Sequence, residues 1–281
     1  GIMVGFDQKD AYVGDEAQSK RGVLTLKYPI QRGVIASGDD FEKLLHHIFF
    51  NELRIDPIEH PVLIMDSPLT PLKQRERMCQ ILFETFLVPA LYQISTPVMA
   101  AYGCGRDTAL IVEGNMSTTV VAPVIRGCID PAAVVILPFG EEDIVMFMQR
   151  ILTERGYSFT TTAERDIIRN IVQGTCHVNA NPYVKGEREK CSSYELPDGQ
   201  NIQFSSESHR ALEPYFLTSL IGIECPTVVE AIIIAAGRSP VTHRKHLLQN
   251  ILCVGSINYK NFSERVALEL SRMLSNSIKT R

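Results

Sequence analysis

Three groups of residues are the right types to do chemistry. The first is the adjacent pair His46-His47. Neighbours on a helix point about 100° apart, so the two cannot share a metal as an i, i+4 pair could. The second is Cys176-His177, which has no companion pair at ligand spacing, and there is no CxxC anywhere in the chain. No metal site is expected. The third is the carboxylate run Glu141-Glu142-Asp143, whose place at a helix start suits the helix dipole better than paired acid and base work. Nucleophilic catalysis finds no GxSxG elbow, and Gly103-Cys104-Gly105 lacks the third glycine of a dinucleotide fingerprint, so it reads as a turn. Local chemistry alone defines no active site.

The composition sets broader limits. Across 281 residues, 28 Lys+Arg stand against 32 Asp+Glu for a net charge of −4, with 45% hydrophobic and 21% charged residues. These values exclude collagen-like, disordered and coiled-coil classes. The mild acidity argues against a nucleic-acid partner, which calls for a basic surplus. No apolar run reaches the roughly 18 residues of a membrane helix, so no membrane partner is expected. The start, Gly1-Ile2-Met3-Val4-Gly5, lacks the basic leader and apolar stretch of a secretion signal. The 7 cysteines are odd in number and scattered, which points to reduced thiols in the cytosol or nucleus.

Periodicity then supplies the elements that must hold any site. Leu24 to Tyr28 alternates as a strand until Pro29. Asp39 or Asp40 can cap a helix whose single face carries Phe41, Leu44, Leu45, Ile48, Phe49 and Leu53. Val62 to Met65 reads as a buried strand. Lys73 to Phe86 reads as a helix with Met78, Ile81, Leu82 and Phe86 inward. Ala109–Val112, Thr118–Ala122 and Ala133–Leu137 read as strands, and a helix through Ile144, Met148, Ile151 and Leu152 stops at Gly156. Thr161-Thr162-Ala163-Glu164 is a capping box for a helix buried through Ile167, Ile168 and Ile171, with Gly174 suited to its C-cap. Residues 178 to 193 read as a loop, and Leu196 to Gln200 as a turn between short strands. Helices are expected at Thr227–Ala236, deeply buried, at His243–Leu252, and at Ser263–Ile278 with Val266, Leu270, Met273 and Leu274 inward. Long apolar strands alternating with helices give an α/β class with sheets covered on both faces.

Several strings resemble actin almost letter for letter. Gln8 to Gly22, reading QKDAYVGDEAQSKRG, is similar to the actin loop that binds DNase I and packs on the next subunit of a filament. Leu24 to Ile30, Asn51 to Arg54, His60 to Leu63, ILTERGYSFTTTAE at Ile151 to Glu164 and YELPDGQ at Tyr194 to Gln200 follow in order. The resemblance implies a two-lobed fold with mixed sheets covered by helices, of ribonuclease-H-like type. It makes Gln8, Lys9, Tyr12, Val13 and Asp15 the subunit-contact residues, and actin or actin-like subunits, actin-binding and complex-forming proteins the partners. ATP or ADP with Mg²⁺ or Ca²⁺ is the cofactor it implies.

Residue by residue, the implied nucleotide clamp is altered. The second phosphate hairpin falls at Glu113-Gly114-Asn115-Met116-Ser117, where one glycine has moved and Met116 replaces an acid. The water-positioning glutamine and histidine of the family fall at Thr96 and Val120. The adenosine-side lysine and glutamate fall at Val172 and Gln173, the paired glycines at Gly255-Ser256, and the hinge histidine at Arg32. Glu113, Gly114, Asn115, Gln173, Gly255 and Ser256 are therefore expected to be a vestigial nucleotide site, with no catalytic residue. Each lost positioning donor removes about 2.7–4 kcal/mol of transition-state stabilisation.

The family's first phosphate hairpin precedes the DNase-type loop, and its closing helices would follow Arg281. The chain is thus expected to be truncated at both ends, with one lobe incomplete. The resemblance divides it into a DNase-loop subdomain at 1–28, a partial first lobe at 29–103, a second-lobe core at 104–139 with 223–281, and an insertion subdomain at 140–222. It implies a cytoplasmic, cytoskeletal filament or assembly subunit with a degenerate cleft. An adaptor in a nuclear or axonemal complex, or an ordinary actin-type ATPase, is the alternative.

Overall fold

A computed structural model describes residues 11–20, 23–31, 34–159, 161–184, 192–196 and 199–279. The chain divides into two compact units, Gly1–Met99 and Ala100–Arg281.

In the first unit, α1 (Asp15–Ser19) is followed by the antiparallel pair β1 (Ile30–Gln31) and β2 (Val34–Ile35). Leu24 to Tyr28, expected to be a strand, forms none: Leu24 lies in a bend, its N–H donating to the Lys20 carbonyl at 3.0 Å. The segment's alternation has no partner, and pairing starts only where Ile30 meets Ile35. α2 (Gly38–His46) is capped by Ser37, whose hydroxyl accepts the Asp40 N–H at 3.3 Å; Asp39 and Asp40 lie in its first turn and are not the cap. The helix runs into a π turn, His47–Glu52. Phe41, Leu45 and Phe49 are buried, but the wider i→i+5 turn carries Leu53 off the stripe, leaving it 56% exposed.

β3 (Val62–Asp66), α3 (Leu72–Gln80), a second π turn at Ile81–Thr85, β4 (Leu91–Ser95) and α4 (Thr96–Gly103) follow. β3 and β4 form a two-stranded parallel sheet. Val62, Ile64 and Leu91 pack on a core of Phe41, Leu45, Phe49, Met78, Ile81, Leu82, Phe86 and Val88. The expected burial of β3 is corrected: Val62 and Ile64 are only partly buried, and Leu63 and Met65 are exposed.

The second unit is built on β5 (Ala109–Gly114), β6 (Thr119–Ile125), β7 (Cys128–Ile129) and β8 (Val135–Leu137). Then come α5 (Glu141–Glu154), α6 (Thr162–Thr175), the hairpin β9 (Ser192–Glu195) and β10 (Asn201–Phe204), α7 (Glu207–Arg210), α8 (Val228–Arg238), α9 (Val241–Gln249), β11 (Ile251–Gly255) and α10 (Phe262–Lys279). The main sheet has five strands in the order β11-β5-β6-β7, with β8 also on β6; β11 and β5 are parallel and the other pairs antiparallel. Every residue of β5 is buried, as a central strand covered on both faces requires.

Local signals set the helix starts here. Thr161 and Glu164 close their capping box, with N–H···O distances of 3.2 and 2.7 Å, and Thr227 with Glu230 builds a second one at the head of α8. Four expectations are corrected. α9 ends at Gln249, and Ile251 to Gly255 leaves the helix to pair with Leu110 to Gly114. α6 runs through Gly174 to Thr175, with Cys176 as C-cap. Ser192 and Ser193 already belong to β9. On α10, Val266 and Leu270 are buried while Met273 and Leu274 sit at the exposed rim. The 196–200 turn closes as expected through a Leu196 N–H···O=C Gln200 bond of 2.7 Å; Pro197 and Asp198 lie outside the described residues.

Candidate functional site

β5 and β11 run side by side and end together, which sets Gly255 beside Gly114 and Val254 beside Glu113. The Ser256 N–H then donates to the Gly114 carbonyl at 2.9 Å. The approach tolerates no side chain: a Cβ on Gly255, whose φ is +76°, would lie 2.3 Å from the Gly114 oxygen. Five of the six expected site residues, Glu113, Gly114, Asn115, Gly255 and Ser256, are thereby brought together.

The hairpin after β5 turns on Asn115, whose N–H donates to the Thr118 carbonyl at 2.9 Å. Its other carbonyls face the start of α5. Asn115 accepts from the Glu141 N–H at 3.0 Å and Met116 from the Glu142 N–H at 2.8 Å. Gly140 lies against this hairpin so closely that a Cβ would sit 2.4 Å from the Asn115 oxygen. The Asp143 carboxylate accepts the Gly140 N–H at 2.9 Å. Asp143 thus does the capping expected of the acidic run, whereas Glu141 does something else.

Glu141 is buried, and its carboxylate accepts the Gln173 side-chain amide at 2.5 Å. Gln173, the sixth expected site residue, lies in the last turn of α6 and joins the cluster through this bond. Glu141 is the residue that sequence reasoning missed, because a carboxylate in the first turn of a helix usually faces water. Gln173→Ala is expected to lower stability by about 1–2 kcal/mol, read by urea denaturation, because it strips a donor from a buried carboxylate. Gln173→Glu should cost more, by setting two acids against each other.

The electrostatics centre on Glu113. Burial pushes its carboxyl up to about 7, against an opposing hydrogen bond from the Asn115 side chain. Its cross-strand neighbour is the buried Val120. Tyr215 and Tyr259 lie 6.4 Å apart between ring centroids, and among the described residues neither buried hydroxyl has a hydrogen-bond partner. Burial, and for both the nearby Glu141 charge, raises these phenols.

The remaining candidates are placed elsewhere. Thr96 is in the first unit, its hydroxyl donating to the Asp66 carbonyl at 3.0 Å. Val172 is buried on α6. Tyr12 lies under the Lys20 ammonium, 3.9 Å from the ring centroid, and Asp15 opens α1. Gln8, Lys9 and Arg32 lie outside the described residues. His47 bonds Glu52 at 3.0 Å and Asn51 at 2.9 Å, and among the described residues no cluster of His, Cys, Asp and Glu could hold a metal. Burial pushes the Cys176 thiol up to about 12, which keeps it protonated and unreactive. Gly103-Cys104-Gly105 is the turn expected, closing α4 with Gly105 at φ +69°. No described helix is long and apolar enough to cross a membrane.

Helices packed on a mixed sheet, with a glycine hairpin set against a helix start and a second glycine strand end, define an α/β protein with an actin-like fold. The family model described as Actin matches residues 3–281. The chain belongs to the actin family, and is an actin-like protein with actin-like or complex-forming partners in general.

Proposed function

We propose that the chain is a structural subunit of an actin-like filament or cytoskeletal assembly, and that its nucleotide cleft does no ATPase work. The observation that carries the reading is the state of the hairpin that the family sets on the phosphates: its Asn115 N–H is already taken by the Thr118 carbonyl, Met116 stands where the family has an acid, and Glu113 is buried. The first amides of α5 donate to Asn115 and Met116 carbonyls, and the buried carboxylate of Glu141 stands beside them. Helix-start amides bind anions when they are free and the nearby charge is not negative. At α5 both conditions fail, so that helix start adds no donors for a nucleotide phosphate. Gln173, which the family would direct to the ribose, is turned to Glu141. Val120 has no polar group, and Thr96 is short, lacks an amide and gives its hydroxyl proton to the Asp66 carbonyl, so neither replaces the family's water-positioning residues.

A fluorescent ATP analogue titrated with Mg²⁺ is expected to show no saturable binding at micromolar concentration and no phosphate release. Micromolar affinity with release would overturn the reading. The DNase-type loop, with Gln8, Lys9, Tyr12, Val13 and Asp15 as contacts, supports assembly with further subunits in the cytoplasm. Pelleting and electron microscopy after salt addition test this. Co-purification at fixed stoichiometry without filaments would transfer the role to an adaptor in a nuclear or axonemal complex.

A further inference from the structure

In the first unit a groove of about 680 Å³ opens between the segment around α1, the α2 helix with its π turn, residues 56–58 and residues 85–87. Its apolar side carries Val13, Phe50, Ile58 and Leu87. Phe50, Ile58 and Leu87 remain 42%, 52% and 57% exposed, although residues of this kind normally turn inward. Leu87 holds its place with φ at +54°, a left-handed conformation that a branched side chain adopts only when its surroundings impose it.

The rim is acidic. Glu16, Asp39, Glu42 and Asp56 line the groove, and Lys43 is the single lysine or arginine among the described lining residues. Both π turns of the unit border it: the first supplies His47, Phe50 and Asn51, and the second ends at Thr85 beside Phe86 and Leu87. Such turns are rare and concentrate at working surfaces. None of the described lining residues belongs to a strand, so these walls offer no open ladder for an extended peptide. An apolar trough with acidic edges and closed backbone bonds matches the helix-in-groove mode of recognition.

We propose that this groove docks a basic amphipathic helix of a partner protein. Bulky apolar residues on one helix face would enter between Phe50, Ile58 and Leu87, and lysines or arginines along its edge would meet Asp39, Glu42 and Asp56. The assignment is independent of whether the other unit binds nucleotide.

The test uses the full chain and fluorescence anisotropy with three labelled peptides about five helical turns long. These are a leucine–lysine amphipathic helix, its leucine–glutamate counterpart, and a scrambled leucine–lysine sequence without a helical face. The first should bind about tenfold tighter than either control and weaken as salt rises. Glu42→Lys and Ile58→Asp should each weaken it about fivefold, whereas Val241→Asp, on the exposed surface of the second unit, should not. Equal binding of the three peptides, or unchanged binding by Glu42→Lys with an unaltered circular-dichroism melt, overturns the proposal. Should Ile58→Asp fail to fold, Glu42→Lys alone decides. Sedimentation showing that Ile58→Asp abolishes self-association while leaving peptide binding intact would assign the groove to a second copy and equally overturn it.

Discussion

Gly255→Ala is expected to destabilise the second unit by about 2–5 kcal/mol, the sum of left-handed strain and overpacking. The residue sits at φ +76°, and the added carbon would lie 2.3 Å from the Gly114 carbonyl oxygen. Neither neighbour can yield at low cost. Gly114 is held in the β5–β6 ladder, and its carbonyl accepts the Ser256 N–H. The clash is thus with backbone that two strands fix, not with a mobile side-chain tip. Thermal unfolding followed by circular dichroism should show a fall of roughly 10 °C for a unit of this size. An unchanged midpoint would mean that the two strand ends do not approach as closely as described. Alanine at Gly156, where φ is +88° but nothing lies within 4 Å, separates the two contributions, because it brings the strain without the clash.

Glu113→Gln should stabilise the protein in a pH-dependent way. Burial raises the folded-state carboxyl from 4.5 to about 7, so between these values the folded chain holds a proton that the unfolded chain releases. Stability therefore falls as pH rises from about 4.5 to about 7, and the full penalty applies above that window. At 1.36 kcal/mol per unit the penalty is about 3–4 kcal/mol. Glutamine keeps the shape and the hydrogen bonding and cannot ionise. Urea denaturation should find the variant more stable than the parent by that amount at pH 8 and nearly equal to it at pH 4, values that bracket the window. Equal differences at both pH values would show that the carboxyl ionises freely and has solvent access.

What the sequence made legible is what neighbouring residues decide. Thr161 with Glu164 spells a capping box within four positions, and the apolar stripe of α3 runs on through Ile81, Leu82 and Phe86 into the buried core. The resemblance to actin also points to the glycine hairpin and to Gly255-Ser256, which β5 and β11 set side by side. Features fixed by distant partners were not legible. Ile251 and Leu252 follow Leu247 and Leu248 at i, i+4 spacing and so read as a continuation of α9; the segment becomes a strand because β5 offers an edge more than a hundred residues away in sequence. The burial of Glu141 depends on Gln173, 32 residues later. Each π turn changes which side chains face inward and carries no compositional mark, so Leu53 was assigned to the wrong side.

The parallel pairing of β5 with β11 also sets an order of events during synthesis. β5 and β6 are joined by a short hairpin and can zip together soon after both are made. The other edge of β5 must wait for Ile251 to reach Leu110, and the roughly 140 intervening residues take on the order of 10 s to translate. Through that interval the nascent chain carries an apolar strand with one open edge, a natural target for chaperone capture or mispairing. The glycine hairpin cannot acquire its Ser256 bond until β11 arrives. The geometry of the site is therefore completed only once β11 has been made and has paired with β5.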